Sequence, residues 1–506
     1  MRSAASGRTE HAMSTPQTTP PSTRSVLKSA IQGTGLYSLP LIGQRISSLL
    51  LLPVITRVLT TTDYGMLSLL EQVTSVLTVL FGGNFSGALG YFYFEEESET
   101  NRHQVAGTGV IGALLLGMIA SLACWPLMHP LAQHVFQSLD ATGYLRIVFI
   151  SMPLLFLVEA LFTWLRVTNR PVVFAVGSLL RIAATFAGVL VLVAALGMRV
   201  YGYLYTFLGA LAVTALYLVV YAAGQFRPAL QFRLFLRMLR FAAPLGLSWV
   251  AMFIINFGDQ FVLRHYRSLA EVGVYALAYK IGMMVSVVYM AYHSYWSAQI
   301  FAIMRRDDAD KVFARLFTYA IFGLLLCSLA LIEGARPALI LVGKDFRTAA
   351  PLIPLIVAAY FVRSIGEFVR CLFLVVNKPA YEAICNWLGC LVCAAGYYVL
   401  IPRYGMWGAA IATDAGFGAV AVVSLVWCYR VCRYRVEALR LVKLAIAGTI
   451  SLVPYFLIPV SSRLGQACWS ALLLGAFLAA LWFLRFPTAG EKQTLREAFD
   501  RYVVRR

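Results

Sequence analysis

Fourteen apolar runs, each long enough to cross a lipid bilayer as a helix, dictate what this chain can become. A spanning helix needs about 20 mostly apolar residues, because the hydrocarbon core is roughly 30 Å thick. The first six runs lie at 34–56, 65–94, 105–127, 144–165, 172–196 and 200–223. Six more lie at 241–262, 272–300, 312–333, 348–376, 380–401 and 406–428, and two follow at 441–460 and 464–484. In hydrocarbon a spanning segment must satisfy its own backbone polar groups, which a single helix does. The reading is an all-α polytopic membrane protein of about fourteen transmembrane helices. Only 13% of the 506 residues carry charge. That is too little polar surface to clothe a soluble globule of this size.

The net charge of +19 raises nucleic acid as a partner. The arginines, however, sit in short segments between apolar runs, not along one amphipathic face, so no nucleic acid is expected. Lys and Arg are retained on the cytoplasmic side of membrane proteins. Alternating the spans from a cytoplasmic amino terminus puts Lys and Arg inside by roughly three to one. The clearest clusters are Arg227/Arg233/Arg237/Arg240, Arg305/Arg306/Lys311 and Arg430/Arg433/Arg435/Arg440. Both termini are then cytoplasmic. Residues 1–30, rich in Ser, Thr and Pro, read as a disordered cytoplasmic tail and not as a secretory signal. Residues 486–506 read as a basic cytoplasmic tail.

No connection between spans reaches 20 residues, which leaves no room for an extramembrane catalytic domain. No GxxxxGK[ST] loop is present, so ATP hydrolysis by this chain is not expected. Cys390 and Cys393 form a CxxC pair. Inside an apolar run the pair reads as small helix residues, not as a metal or redox site. No cofactor and no metal are expected.

The chain repeats itself. Asp63-Tyr64-Gly65 and Glu271-Val272-Gly273 stand 208 residues apart, as do Asn169-Arg170-Pro171 and Asn377-Lys378-Pro379, and Gly197-Met198 and Gly405-Met406. Each match is a common turn signal. Three at one offset, all at span boundaries, indicate a duplication. The offset covers six spans, an even number, so both halves have the same orientation, a parallel repeat about an axis along the membrane normal. The expected organisation is a six-helix lobe at 31–225, a second at 239–430, and two extra helices at 440–485.

Several short motifs carry a family resemblance. They are Gln44-Arg45-Ile46-Ser47 with Pro53 and the Asp63-Tyr64-Gly65 turn; Asp259-Gln260 with the run from Val272 to Lys280; and Val342-Gly343-Lys344-Asp345-Phe346 with Asn377-Lys378-Pro379. With fourteen spans, the chain resembles the polysaccharide-biosynthesis transport family, the Wzx-type oligosaccharide-lipid flippases. These share a superfamily with MATE exporters and lipid II flippases. The resemblance runs from about Lys28 to Arg485. It implies two pseudo-symmetric six-helix lobes around a central cavity. It also implies movement of a polyprenyl-diphosphate-linked oligosaccharide to the outer face of a bacterial cytoplasmic (inner) membrane. Membrane lipids, a polysaccharide polymerase and chain-length machinery are the partners it suggests. One departure is visible: Gly90 stands where relatives are expected to carry a basic residue.

Charges at mid-membrane cost roughly 2.5–3.5 kcal/mol each on insertion scales, so they should face a cavity or a partner. Arg45, Arg181, Lys280 and Arg363 are the candidates for substrate binding, because Arg forks and Lys ammonium groups bind phosphate oxygens. Glu71, Asp259 and Glu367 are candidates for ion coupling or ion pairing. Arg45 shares a helix face with Thr34, Ser38 and Ser48. Arg181 has no local acid, which calls for a distant partner or an anionic ligand. Asp259 and Lys280 either pair with each other or serve separately as a cation site and a phosphate contact. Arg363 and Glu367, four apart, can pair along one helix. Tyr275, Tyr279, Tyr289 and His293 recur near helical spacing, as helix packing or as sugar contacts.

Two other functions fit the pattern less well. A MATE-type cation or drug exporter would have the same architecture but favour acidic groups in its cavity. A membrane glycosyltransferase or polymerase would need carboxylates exposed in a large loop. Asp308 and Asp310 lie among basic neighbours and read as a solvated cluster.

Overall fold

The computed structural model describes residue 43 and residues 46–487, except 83–84, 226–228, 305–307, 377, 379, 433, 459 and 461. Every long element is a helix. In the first half these are α1 (Ile46–Val58), α2 (Thr61–Leu77), α3 (Phe85–Glu95), α4 (Glu99–Cys124), α5 (Met128–His134), α6 (Ala141–Val167), α7 (Pro171–Gly188) and α8 (Arg199–Ala222). The second half holds α9 (Phe232–Tyr266), α10 (Leu269–Gly282), α11 (Val285–Ile303), α12 (Ala309–Ala338), α13 (Ile353–Arg370), α14 (Leu372–Val375), α15 (Ala380–Tyr404) and α16 (Met406–Cys432). Helices α17 (Ala438–Leu457) and α18 (Arg463–Phe483) close the chain.

Among the described residues, 12 helices are long and apolar enough to cross a membrane, fewer than the fourteen expected. The missing two are identifiable. About half of the expected span at 34–56 lies outside the described residues, and the part inside them is the short α1. The expected span at 241–262 lies within α9, which runs for 35 residues. The tails expected at 1–30 and at 486–506 lie outside the described residues, apart from Phe486 and Pro487.

Several spans are less regular than their apolar runs suggest, among them the one at 172–196, which ends in a π-turn at Val189–Ala195. The expected helix at 272–300 is interrupted between α10 and α11, at Met283 and Met284. The second span widens into a π-turn at Thr78–Gly82. Such bulges shift the register of the face beyond them and recur at functional sites. Gly282, at the end of α10, lies so close to α13 that an added Cβ would sit 2.6 Å from Ile356 Cγ2.

The duplication is visible as geometry. Helices α2 and α10, which open the equivalent spans, are each N-capped: Thr60 Oγ1 accepts the Asp63 N–H in a capping box, and Ser268 Oγ accepts the Glu271 N–H. Gly197 and Gly405 both adopt the left-handed backbone, at φ 63° and 57°, which a side chain would disfavour. The acids of the two motifs reach the next equivalent helix starts. Asp63 pairs with Arg199 at 3.3 Å, and Glu271 accepts the Met406 N–H at 2.8 Å. Most telling, Gly65 and Gly273 pack on each other. A Cβ on Gly65 would overlap the Leu269 carbonyl oxygen, and one on Gly273 would overlap that of Thr61.

This crossing lies at the end of the bundle where the lobes are sealed together. Nearby, Arg57 Nε donates to Leu341 O at 3.2 Å, the Gly343 N–H donates to Thr56 Oγ1 at 3.3 Å, and the rings of Tyr64 and Phe346 meet edge-on at 5.5 Å. The Val342–Phe346 motif therefore serves the seam between lobes. Helix α9 belongs to both lobes. Its start packs on α3, with Tyr91 stacked on Phe241 at 4.5 Å. Further along, Ile255 O accepts the Tyr397 hydroxyl of α15 at 3.2 Å.

Helices α17 and α18, outside the repeat, dock on α12. Glu333 is fully buried there: its side chain accepts from Ser451 at 2.5 Å, and its backbone carbonyl accepts from Ser470 at 2.6 Å. Cys390 and Cys393 are buried free thiols within α15, as small helix residues should be.

Candidate functional site

A cavity of about 700 Å³ opens within the first lobe, walled by α1, α2, α3, α4, α6, α7 and α8 and reached by one residue of α10. Its walls are hydroxylated in helical register. Glu71, Thr74, Ser75 and Thr78 share one face of the second span, and Ser178, Arg181 and Thr185 share one face of α7. These hydroxyls donate back to carbonyls one turn earlier: Thr74 to Leu70, Thr78 to Thr74, Ser178 to Phe174 and Thr185 to Arg181, each at 2.8 Å. The donors are thus satisfied inside the helix, and the hydroxyl oxygens remain able to accept from an occupant.

Among the described residues, five charged side chains line the cavity: Arg166, Arg181, Lys280, Glu71 and Glu159. Arg181 Nη1 lies 3.4 Å from Glu159 Oε1 on α6, which supplies the partner that the sequence did not reveal. Glu71 Oε1 accepts the Tyr203 hydroxyl at 2.8 Å. Lys280 projects from the second lobe, with Nζ 6.0 Å from the centre of the Tyr64 ring. Among the described residues no carboxylate lies within ion-pairing distance of it. Arg166, at the end of α6, donates to Thr163 Oγ1 at 3.3 Å and stands over the Phe174 ring at 5.8 Å. Sequence reasoning passed it over because a basic residue at a span end reads as a topology signal. Three cations against two carboxylates leave the chamber positive.

The structure therefore brings together Arg181, Lys280 and Glu71 from the expected set. Arg45 lies outside the described residues, although its neighbours Ser47 and Ser48 line the cavity. Arg363, Glu367 and Asp259 sit elsewhere, in the second lobe. Arg363 Nε donates to Glu367 Oε1 at 2.7 Å, and Arg363 also donates to Asn256 Oδ1. Arg370 lies 3.6 Å from the same carboxylate, so Glu367 holds two guanidinium groups.

Asp259 is fully buried and does not pair with Lys280. Its carboxylate accepts from the Tyr275 hydroxyl, from Thr413 Oγ1 at 3.4 Å and from the Gln260 N–H at 2.8 Å. Tyr275 and Tyr279 are buried and hydrogen bonded, to Asp259 and to the Asn256 carbonyl, so both pack between helices. Tyr289 and His293 meet ring to ring at 5.2 Å.

The site is a charged cavity inside a helical bundle whose helices are long and apolar enough to cross a membrane. A family profile described as polysaccharide biosynthesis protein matches residues 30–295, just over half of the chain, and the chain belongs to that family. No curated sequence gives a significant match. Among solved structures, the lipid II flippase MurJ in an inward closed conformation superposes with a TM-score of 0.70 at 15% identity, over 89% of this chain and 99% of that one. An inward-facing multidrug resistance MATE family transporter of the MOP superfamily superposes with a TM-score of 0.63 at 17% identity, over 76% and 94%. A MOP superfamily transporter from Pyrococcus furiosus, described as having a binding pocket of reversed polarity, gives 0.54 at 17%, over 79% and 95%. These likenesses show that the chain shares its fold with these proteins.

Proposed function

We propose that the chain moves a polyprenyl-diphosphate-linked oligosaccharide from the cytoplasmic to the outer face of a bacterial inner membrane, by alternating access, for export of surface polysaccharide. The observation that carries this reading is the positive, hydroxyl-walled cavity inside a membrane-spanning lobe. A diphosphate headgroup is compact and multiply charged, and its passage through bare hydrocarbon is prohibitive. Arg166, Arg181 and Lys280 replace its water with charged donors, and the serine and threonine oxygens suit sugar hydroxyls. The end sealed at Gly65 and Gly273 faces outward, and both termini face the cytoplasm. A polymerase and chain-length machinery take up the product on the outer face.

A MATE-type exporter of organic cations has the same fold, and its cavity should favour acids over bases, whereas here three cations face two carboxylates among the described residues. Here Glu159 is bonded by Arg181 and Glu71 by Tyr203. Deleting the gene in its host separates the readings. The expected result is loss of surface glycan, with the lipid-linked precursor accumulating on the inner leaflet. Intact surface glycan with raised sensitivity to cationic drugs would replace this reading with efflux. A precursor that reaches the outer leaflet but is not extended would replace it with polymerase activity.

A further inference from the structure

A second, smaller cavity of about 170 Å³ lies where the lobes meet, beside the large chamber. The two share Glu71, Tyr203 and Lys280 in their walls. The small cavity adds Ser68 and Gln72 from α2 and Gln260 from α9, so both lobes build it. Ser68 Oγ donates to Gln260 Oε1 at 2.6 Å, a direct bond across the seam. Gln72 is only 7% exposed, and among the described residues its Oε1 has no hydrogen-bond partner. A buried acceptor left unpaired costs about 1–3 kcal/mol, so its presence in a cavity wall calls for an occupant that donates to it.

We propose that this cavity is a subsite for one sugar ring of the substrate, with Gln72 and Gln260 as the residues that read its hydroxyls. The inference rests on the flippase reading given above. The volume equals that of about five or six water molecules, the scale of a single pyranose ring. Sugar hydroxyls both donate and accept. The walls match them with an unpaired amide oxygen, a second amide, the Glu71 carboxylate and the Lys280 ammonium. Lys280 stands at the junction, so the diphosphate lies in the large chamber while the attached ring reaches the small one. Sites built to hydrogen bond a substrate hydroxyl discriminate strongly, because the wrong ligand leaves buried polar groups unpaired. Walls drawn from both lobes also tie the identity of the sugar to lobe movement, since the ring competes for the Ser68–Gln260 bond.

Binding of the purified full-length chain to defined lipids tests the subsite. The probes are undecaprenyl diphosphate without sugar and the same lipid carrying one N-acetylglucosamine, N-acetylgalactosamine, glucose or galactose. The wild-type chain is expected to prefer one glycosylated probe over the bare lipid by about tenfold. Gln72→Leu and Gln260→Leu should each cut that preference to about twofold or less, while affinity for the bare lipid changes by no more than about twofold. Gln72→Met, of different shape, should behave as Gln72→Leu does, which separates lost polarity from altered packing. Equal weakening of bare and glycosylated probes, or a preserved preference, would overturn the subsite. So would a wild-type chain that binds bare and glycosylated lipids alike, although the flippase reading would survive that result. Failure to bind any of the lipids would overturn both.

Discussion

A single methyl group added at Gly65 or Gly273 is expected to force the sealed end of the bundle apart and to slow translocation by about tenfold or more. The reason is local. Each glycine lies where α2 and α10 cross, and a Cβ at either position would overlap a backbone carbonyl oxygen of the other helix. Backbone has no rotamer with which to move aside. The next atoms are also backbone, with the Gly273 nitrogen 3.0 Å from a Cβ on Gly65 and the Gly65 nitrogen 2.9 Å from one on Gly273. Overpacking of this kind costs about 1–3 kcal/mol. Borne by one conformation and not the other, it shifts their ratio by about 5- to 150-fold.

Both glycines sit in helices, where alanine is intrinsically favoured, so propensity opposes the effect and does not mimic it. Gly209→Ala and Gly475→Ala serve as controls, since nothing lies within 4 Å of a Cβ at either position. Spin labels at Leu196 and Tyr404, exposed and equivalent in the repeat, report the separation of the lobes at this end. Gly65→Ala and Gly273→Ala should lengthen that distance, while the controls leave it unchanged. An unchanged distance with full transport would remove the crossing from the mechanism.

The second large effect belongs to Lys280. Lys280→Met is expected to weaken the apparent affinity for a diphosphate-linked substrate by about ten- to a hundredfold. That is the scale of one lost hydrogen bond to a charged group, about 1.5–3 kcal/mol. Arg181→Met should cost less, because Glu159 already bonds this guanidinium at 3.4 Å and must be displaced or shared when an anion arrives. Lys280→Arg should retain more function than Lys280→Met, since it keeps the charge and changes only its shape. Initial rates of translocation against substrate concentration test the order. If Lys280→Met leaves the concentration dependence unchanged, the diphosphate is not held at the junction of the two cavities.

The parts of this architecture that were legible from sequence are those that lipid imposes. Apolar length gave the spans, and one offset of 208 residues gave the repeat, because both are properties of the chain taken linearly. The Gly65 and Gly273 motifs read as turns along the chain, but both lie in the opening turns of helices, α2 and α10. That they touch each other was not legible, because contact across a pseudo-twofold axis leaves no mark along the chain. Arg181 looked solitary for a similar reason: Glu159 lies 22 residues away, on the preceding helix. Arg363 and Glu367 were readable as a pair because helical spacing alone brings them together. Arg370 as a second claimant on Glu367 was equally within reach of that rule, at a spacing of three. Gln72 escaped notice because a neutral amide in an apolar run carries no charge signal, and its importance depends on a cavity formed by distant helices. The break at Met283 and Met284 has no proline to announce it, and its one marker is Gly282, a single glycine of the kind that a helix tolerates.

The most direct test of the central claim is transbilayer movement by the purified chain alone. Proteoliposomes would carry a polyprenyl-diphosphate-linked oligosaccharide, and the fraction of it accessible to an external glycan-modifying enzyme would be followed in time. The account predicts that the chain exposes the inner-leaflet pool, that empty liposomes keep it protected, and that Lys280→Met slows the exposure. A pool that stays protected in the presence of the folded chain, while the same vesicles transport an organic cation, would contradict the account.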